Sequence, residues 1–230
     1  MNVYKIFLTL AVSATLTMLY GVDDVRFLQQ EQLEIVSSRD TIPGCTDPYA
    51  DNYDPDATFN DGSCSYDEDF EENYTFLGRI ENSSYYISTY YNDWWAAYYS
   101  SAEYGGYLAT LMTEEENIEV SEWAGLFGTP NWIGLYQDTE SDDYSEPDGG
   151  WMWIINGCLF TGEPVAYTNW ASGQPDASSD YAVTNWGCSG CWDDMDGNAG
   201  QTWIMERDTD EIDNFIVLDT TALDFGECPI

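Results

Sequence analysis

Histidine is absent from the 230 residues, and lysine occurs once, at Lys5. Without an imidazole there is no Ser-His or Cys-His catalytic pair and no histidine-ligated metal. Acid-base work near neutral pH would need a strongly shifted carboxyl. Positive charge is scarce throughout: 5 Lys and Arg residues stand against 43 Asp and Glu, a net charge of −38. Such a surface repels phosphate backbones and anionic headgroups, so nucleic acid and anionic membrane are poor partners, and divalent cations are the natural counter-ion. After Tyr20 no apolar run is long enough to cross a bilayer. Apolar and aromatic residues are plentiful, at 43% and 16% of the chain. That is too much for a disordered acidic chain and suits one packed domain with accessories.

The N-terminus reads as an export signal over residues 1–21, with Lys5 before the apolar run Ile6 to Tyr20 and Asp23-Asp24 after it. Cleavage after Gly21 or after Ala14 both fit the pattern, and an uncleaved anchor is the alternative. Export places the chain outside the cell, where its six cysteines are expected as disulfides rather than thiols or zinc ligands.

Residues 22–43 read as a linker with one helix-like stretch, Phe27 to Val36. A cysteine-bounded acidic module follows over residues 44–65, from Gly44-Cys45-Thr46-Asp47 to Asp61-Gly62-Ser63-Cys64. Its Pro and Asp-Gly turns make Cys45–Cys64 an easily closed disulfide. It resembles a short two-cysteine acidic repeat of secreted proteins from marine bacteria and algal viruses. Ten acidic residues between Asp47 and Glu72, with no basic one, suggest cation binding. An EF-hand register nevertheless fails, because it puts Ala57 and Phe59 at ligand positions. A disulfide-tied spacer is the simpler reading.

From Tyr74 onward the pattern is α+β: two helices followed by a looped antiparallel sheet. Ser84 to Ile87 is strand-like, with Tyr85 and Ile87 expected to be buried on one face. Trp94, Ala97, Ser101 and Ala102 fall at helical spacing before Gly105-Gly106. Thr113 with Glu116 is a capping box opening a second helix that carries Ile118, Val120, Trp123 and Leu126.

Trp94-x-x-Ala97, Gly105 to Ala109, Trp132-Ile133-Gly134-Leu135, Trp151-Met152-Trp153, Asn169-Trp170, Gln174-Pro175-Asp176 and Trp192-Asp193-Asp194 stand in one order. In that order they resemble the C-type lectin-like domain, prokaryotic or viral in type, over residues 74–207. The family's two usual disulfides are missing, with Ser101, Ala182, Gly197 and Met205 in their place. Trp132, Trp151, Trp153 and Trp170 are expected to pack in the core.

The resemblance implies a calcium site. Gln174 and Asp176 match the ends of the family's EPN or QPD triplet, Asp180 the next acidic ligand, and Asp193 and Asp194 the WND pair. Independently, a cis Gln174-Pro175 peptide would turn both flanking side chains toward one point. Five oxygen-bearing side chains from one loop and a neighbouring strand suit calcium before magnesium. Glu163-Pro164-Val165 lacks a ligand at its third place.

The QPD order is similar to the family's galactose-type triplet, with Gln174, Asp176, Asp180 and Asp193 as sugar contacts and Trp186 as an aromatic platform or a core residue. Asp193 replaces the usual Asn, so one amide donor is lost from the sugar-binding set. Cys158, Cys188, Cys191 and Cys228 permit three pairings, and a structural Cys188–Cys191 bridge is favoured over a redox motif. The tail, residues 208–230, adds seven acidic groups and is read as an extra strand or a loose end.

These readings converge on a secreted calcium-dependent binder of glycans with vicinal hydroxyls, with calcium as cofactor and homo-oligomerisation as a route to avidity. The alternative is a calcium-stabilised module for protein, ice or mineral. An enzyme is not expected, since Asp193 and Asp194 are strand neighbours and cannot flank a bond from two sides. With no histidine, calcium affinity is expected to stay flat between about pH 7 and about pH 5.5.

Overall fold

The structure, a computed structural model, describes residues 41–154, 165–177 and 179–209. The signal and most of the linker, Glu163-Pro164, Cys158, Cys228 and the tail beyond Thr209 lie outside the described residues. From Gly44 onward the described residues belong to one compact unit. No helix among them is long and apolar enough to cross a membrane.

A two-stranded ribbon, β1 (Pro43–Gly44) with β2 (Phe59–Asn60), opens the described chain and is tied by the Cys45–Cys64 disulfide. A short helix α1 (Glu68–Asn73) follows. The Asp67 carboxylate starts it by accepting from the Phe70 N–H at 3.0 Å. This helix was not foreseen in the sequence, and its single buried residue, Phe70, explains why no amphipathic period shows.

Strands β3 (Tyr74–Ile80) and β4 (Ser83–Ser88) form a hairpin. Then come α2 (Trp94–Glu103), β5 (Tyr107–Leu108), α3 (Glu114–Gly125), β6 (Asn131–Gln137), β7 (Trp151–Trp153), β8 (Tyr181–Thr184), β9 (Asp193–Met195) and β10 (Thr202–Asp208). The main sheet runs β3-β4-β10-β6-β8-β9, with β5 on β10 and β7 on β6. The pairings are antiparallel except that β10 lies parallel to β6, Thr202 opposite Asn131 and Trp203 opposite Trp132.

Helix α2 begins where the Asp93 side chain accepts from the Ala96 N–H at 2.7 Å. It buries Trp94, Ala97 and Ser101, as their spacing requires, and ends before Gly105 at φ 73°. Helix α3 carries the expected Thr113–Glu116 capping box. Its buried face, however, is Asn117, Val120, Ser121 and Ala124, while Ile118 and Leu126 are 46% and 84% exposed. The apolar pattern misplaces this face because two of its inward residues are polar and satisfied. Asn117 accepts from Trp192 Nε1 at 2.7 Å and donates to Gly190 O at 3.0 Å, and Ser121 bonds Thr184 at 2.9 Å.

Core residues occupy both faces of the sheet. Tyr85 and Ile87 join one cluster with Trp153 and Trp192, while Tyr86, expected outside, joins a second with Trp94, Trp132 and Trp203. Strand β4 is therefore buried on both sides. Trp132, Trp151 and Trp153 are buried and Trp170 packs against the first cluster, in agreement with their core assignment. A Cβ at Gly78 would meet the Trp123 ring at 2.8 Å, so this glycine lets α3 lie against β3.

Candidate functional site

The β8–β9 hairpin carries Asp193 and Asp194, with Asp176 near enough to act on the first and Asp180 near enough to be acted on by the second. Val183 pairs with Asp193 and Ala182 with Asp194. The segment 170–177 is joined to the residue before β9 by Ala171 N–H to Trp192 O at 2.8 Å and turns on itself through Gln174 N–H to Ala171 O at 2.9 Å. The Gln174–Pro175 peptide is cis. Both oxygens of Asp194 then accept loop amides, from Asp176 at 2.8 Å and from Ser179 at 3.2 Å. Asp194 thus shapes the loop as well as lending it charge.

Asp193 and Asp194 are buried, Gln174 and Asp180 are half-buried and Asp176 is exposed. Two acceptor atoms here are buried without a hydrogen-bond donor: Gln174 Oε1 and Asp193 Oδ1. Burial, then the charges of Asp194 and Asp176, push the Asp193 carboxyl up to about 6. Burial, then Glu146 and Asp194, raise Asp180. The four carboxylates are thus near enough to repel, although no group of three or more acidic, His or Cys side chains among the described residues is gathered closely enough to hold a metal as it stands. The donor types, all oxygen with two undonated buried acceptors, are those a hard divalent cation takes, while the carboxylates stand farther apart than a bound ion requires. Burial next to two carboxylates raises Asp193 toward the range in which a histidine titrates, a pressure that the expectation of a flat calcium response down to pH 5.5 did not include.

The hairpin tip is braced by groups that the sequence reading missed. Asn185, in the left-handed region at φ 63°, donates to Ser121 O at 2.9 Å and accepts from Gly190 N–H at 2.8 Å. Gly190 O in turn accepts from Asn117 and from Asn169 at 2.7 Å. A Cβ at Gly190 would lie 2.8 Å from Asn117 Nδ2, so only glycine admits the asparagine. Asn185, Gly187 and Gly190, spaced just past strand β8, are the local signal of this turn. Cys188 and Cys191 form a disulfide across the same tip. Trp186 is 41% exposed on this loop, which removes its core reading. Glu146, the neighbour that raises Asp180, was also missed, although Glu146-Pro147-Asp148, like Gln174-Pro175-Asp176, sets an oxygen-bearing side chain on each side of a proline.

No protein-family model matches the chain. It is 31% identical over 105 residues to halomucin of Haloquadratum walsbyi, a match covering 41% of this chain and 1% of that protein. The chain therefore spans about 1% of the length of that curated relative. Solved structures similar to it include the mouse scavenger receptor C-type lectin carbohydrate-recognition domain, 22% identical, with a TM-score of 0.47 over 59% of this chain and 94% of that one. Another is herring type II antifreeze protein, 20% identical, with a TM-score of 0.46 over 59% of this chain and 96% of that one.

Proposed function

We propose that the chain is a secreted, calcium-dependent carbohydrate-binding protein of the C-type lectin-like kind, with a galactose-type preference, serving adhesion or glycan recognition. The observation that carries this reading is the pair of buried, undonated acceptors, Gln174 Oε1 and Asp193 Oδ1, beside Asp176, Asp180 and Asp194. Calcium would be held by Gln174, Asp176, Asp180, Asp193 and Asp194, offsetting the repulsion among the four carboxylates. When bound, it would supply a Lewis-acidic centre for vicinal hydroxyls. Gln174 offers a side-chain amide donor, the carboxylates accept from the hydroxyls, and exposed Trp186 offers an apolar face.

Retention on immobilised galactose in calcium, with release by chelator, is the expected result. Failure to bind any neutral glycan across a broad array removes this reading. Asp193 favours a second reading, a calcium-stabilised module for a protein, ice or mineral surface, because a carboxylate there cannot donate to a sugar oxygen.

A further inference from the structure

Helix α2 opens with two tryptophans of opposite fate. Trp94 is fully buried, whereas Trp95 is 40% exposed and belongs to neither core cluster. The Trp95 indole is held in place all the same. Its Nε1 donates to the Tyr181 hydroxyl at 3.1 Å. Tyr99, one helical turn on, lies 6.3 Å away with its ring inclined by only 30°. Trp94, Tyr98 and Tyr181 stand steeply to the indole at 5.4 Å, 6.1 Å and 6.2 Å. A ring fixed by a hydrogen bond and four aromatic neighbours has little freedom left to lose, so it meets a ligand at small entropic cost.

Trp95 forms one wall of a hollow of about 290 Å³ beside the β8–β9 hairpin. Ser179, Asp180 and Tyr181 form a second wall, and Asp196 and Asn198 a third. The second wall is continuous with the candidate calcium site, since Asp194 accepts from the Ser179 N–H at 3.2 Å and Asp180 is one of the proposed ligands. The third is a fixed turn. One oxygen of Asp196 accepts from the Asn198 N–H at 3.0 Å and from the Asn198 side-chain amide at 2.8 Å, which leaves the other oxygen to accept from a ligand. No basic side chain among the described residues lines the hollow.

A pyranose has an apolar patch of C–H groups and a rim of hydroxyls, which call for a flat ring beside oxygen acceptors. The hollow offers both next to a site read as holding one sugar residue. We propose, resting on the calcium-dependent lectin reading above, that it is a second saccharide subsite, so that the ligand is a glycan of at least two residues. The residue next to the calcium-held one lies on Trp95, and the open Asp196 oxygen accepts one of its hydroxyls. Acidic walls without a cation make this second residue a neutral one, because a uronic or sulfated sugar is repelled.

The test titrates the full chain by calorimetry in saturating calcium. Probes are methyl galactoside, methyl galactobiosides of several linkages, and a disaccharide whose second residue is glucuronic acid. At least one galactobioside should bind roughly three- to tenfold more tightly than methyl galactoside. In saturation-transfer NMR the C–H protons of its second residue should receive magnetisation from protein aromatics. Trp95→Ala should bring the ratio of the two affinities to unity, and Trp95→Phe should restore part of it. Both probes share the calcium site, so damage to the fold or to calcium binding lowers both affinities and leaves the ratio. The glucuronic acid probe should bind no better than methyl galactoside. Equal affinities for methyl galactoside and every galactobioside, a ratio untouched by Trp95→Ala, or preference for the acidic disaccharide would overturn the subsite and leave the lectin reading in place. Binding of none of these sugars, and of no neutral glycan on an array, removes both.

Discussion

The Tyr86 hydroxyl donates to the Asp47 carboxylate at 2.5 Å, joining strand β4 to the cysteine-bounded segment 39 residues earlier. The same carboxylate accepts from Tyr66 OH at 2.5 Å, Ser84 OH at 3.0 Å and the Tyr49 N–H at 3.2 Å. Asp47 is fully buried, so this acidic residue is neither a solvated charge nor a spacer element. The Arg207 guanidinium stacks nearby, 4.7 Å from the Tyr49 ring centroid and 5.6 Å from that of Tyr86.

Asp47→Ala should therefore lower the unfolding free energy by about 3 kcal/mol or more, because it strands several buried donors at once. Asp47→Asn keeps part of the acceptor capacity and should fall between the two. Urea unfolding followed by tryptophan fluorescence measures both; a loss below about 1 kcal/mol for the alanine variant would show that the segment is only loosely docked.

Acid should release calcium earlier than a chain without histidine suggests. With Asp193 pushed up to about 6, a proton competes for its carboxylate as soon as pH drops below that value. Calcium affinity is expected to weaken steadily from about pH 7 to about pH 5. In the metal-free protein the sign reverses. A carboxyl raised in the fold contributes stability that is complete below its ordinary value and is lost as pH rises through about 6. Melting temperature in chelator should then fall across the interval in which melting temperature in calcium rises. Parallel curves would disprove the assignment of Asp193 to the metal.

Asp193→Asn separates the two functional readings. The amide cannot titrate, so the acid step near pH 6 should disappear from calcium binding. It also supplies the second donor that two sugar hydroxyls need, so retention on galactose resin should lengthen. A variant that binds calcium with a flat pH profile yet shows no gain on any neutral glycan favours the non-sugar module.

Periodic residues backed by hard sterics were legible in the sequence. The Trp94, Ala97, Ser101 face, the Thr113–Glu116 cap, the buried Trp132 and Trp153 strands and the Cys45–Cys64 bridge follow from helical spacing, capping and loop closure. Features decided by distant partners were not. Asn117 and Ser121 look like solvent residues until Trp192, Gly190 and Thr184 are brought against them from the far end of the chain. Tyr86 looks outward until Asp47 and Phe70 cover it. In the candidate site, the Gln-Pro-Asp and Trp-Asp-Asp words located the residues. Which oxygens stay undonated depends on the fold of the 170–180 loop, and the acidity of Asp193 depends on its burial.

Glu206 offers a test in a pH window that the composition leaves almost empty. It is fully buried on β10, and burial pushes it up to about 8, with further upward pressure from Glu116 and Asp208. One of its oxygens accepts from the Thr110 N–H at 2.9 Å and the Thr110 hydroxyl at 3.0 Å. The other lies 3.4 Å from the Tyr85 hydroxyl, whose single proton is committed to Glu116 at 2.6 Å. A proton on Glu206 fills that gap by donating to the Tyr85 oxygen. Stability from Glu206 is complete below the ordinary carboxylate range and is lost as pH rises through about 8, at no more than about 1.4 kcal/mol per pH unit. Histidine is absent, lysine occurs only at Lys5, and burial moves Tyr85 and Tyr107 upward out of range. The unfolding free energy should therefore decline between about pH 7 and about pH 9.5 mainly through this one group. Glu206→Gln places an N–H where the acid proton sits and keeps the acceptor facing Thr110, so it should fold normally and flatten that decline. Glu206→Ala leaves the Thr110 amide buried without an acceptor and should be destabilised at every pH. A wild-type profile already flat above pH 7, in urea unfolding series read at matched ionic strength, would show that Glu206 is charged in the fold.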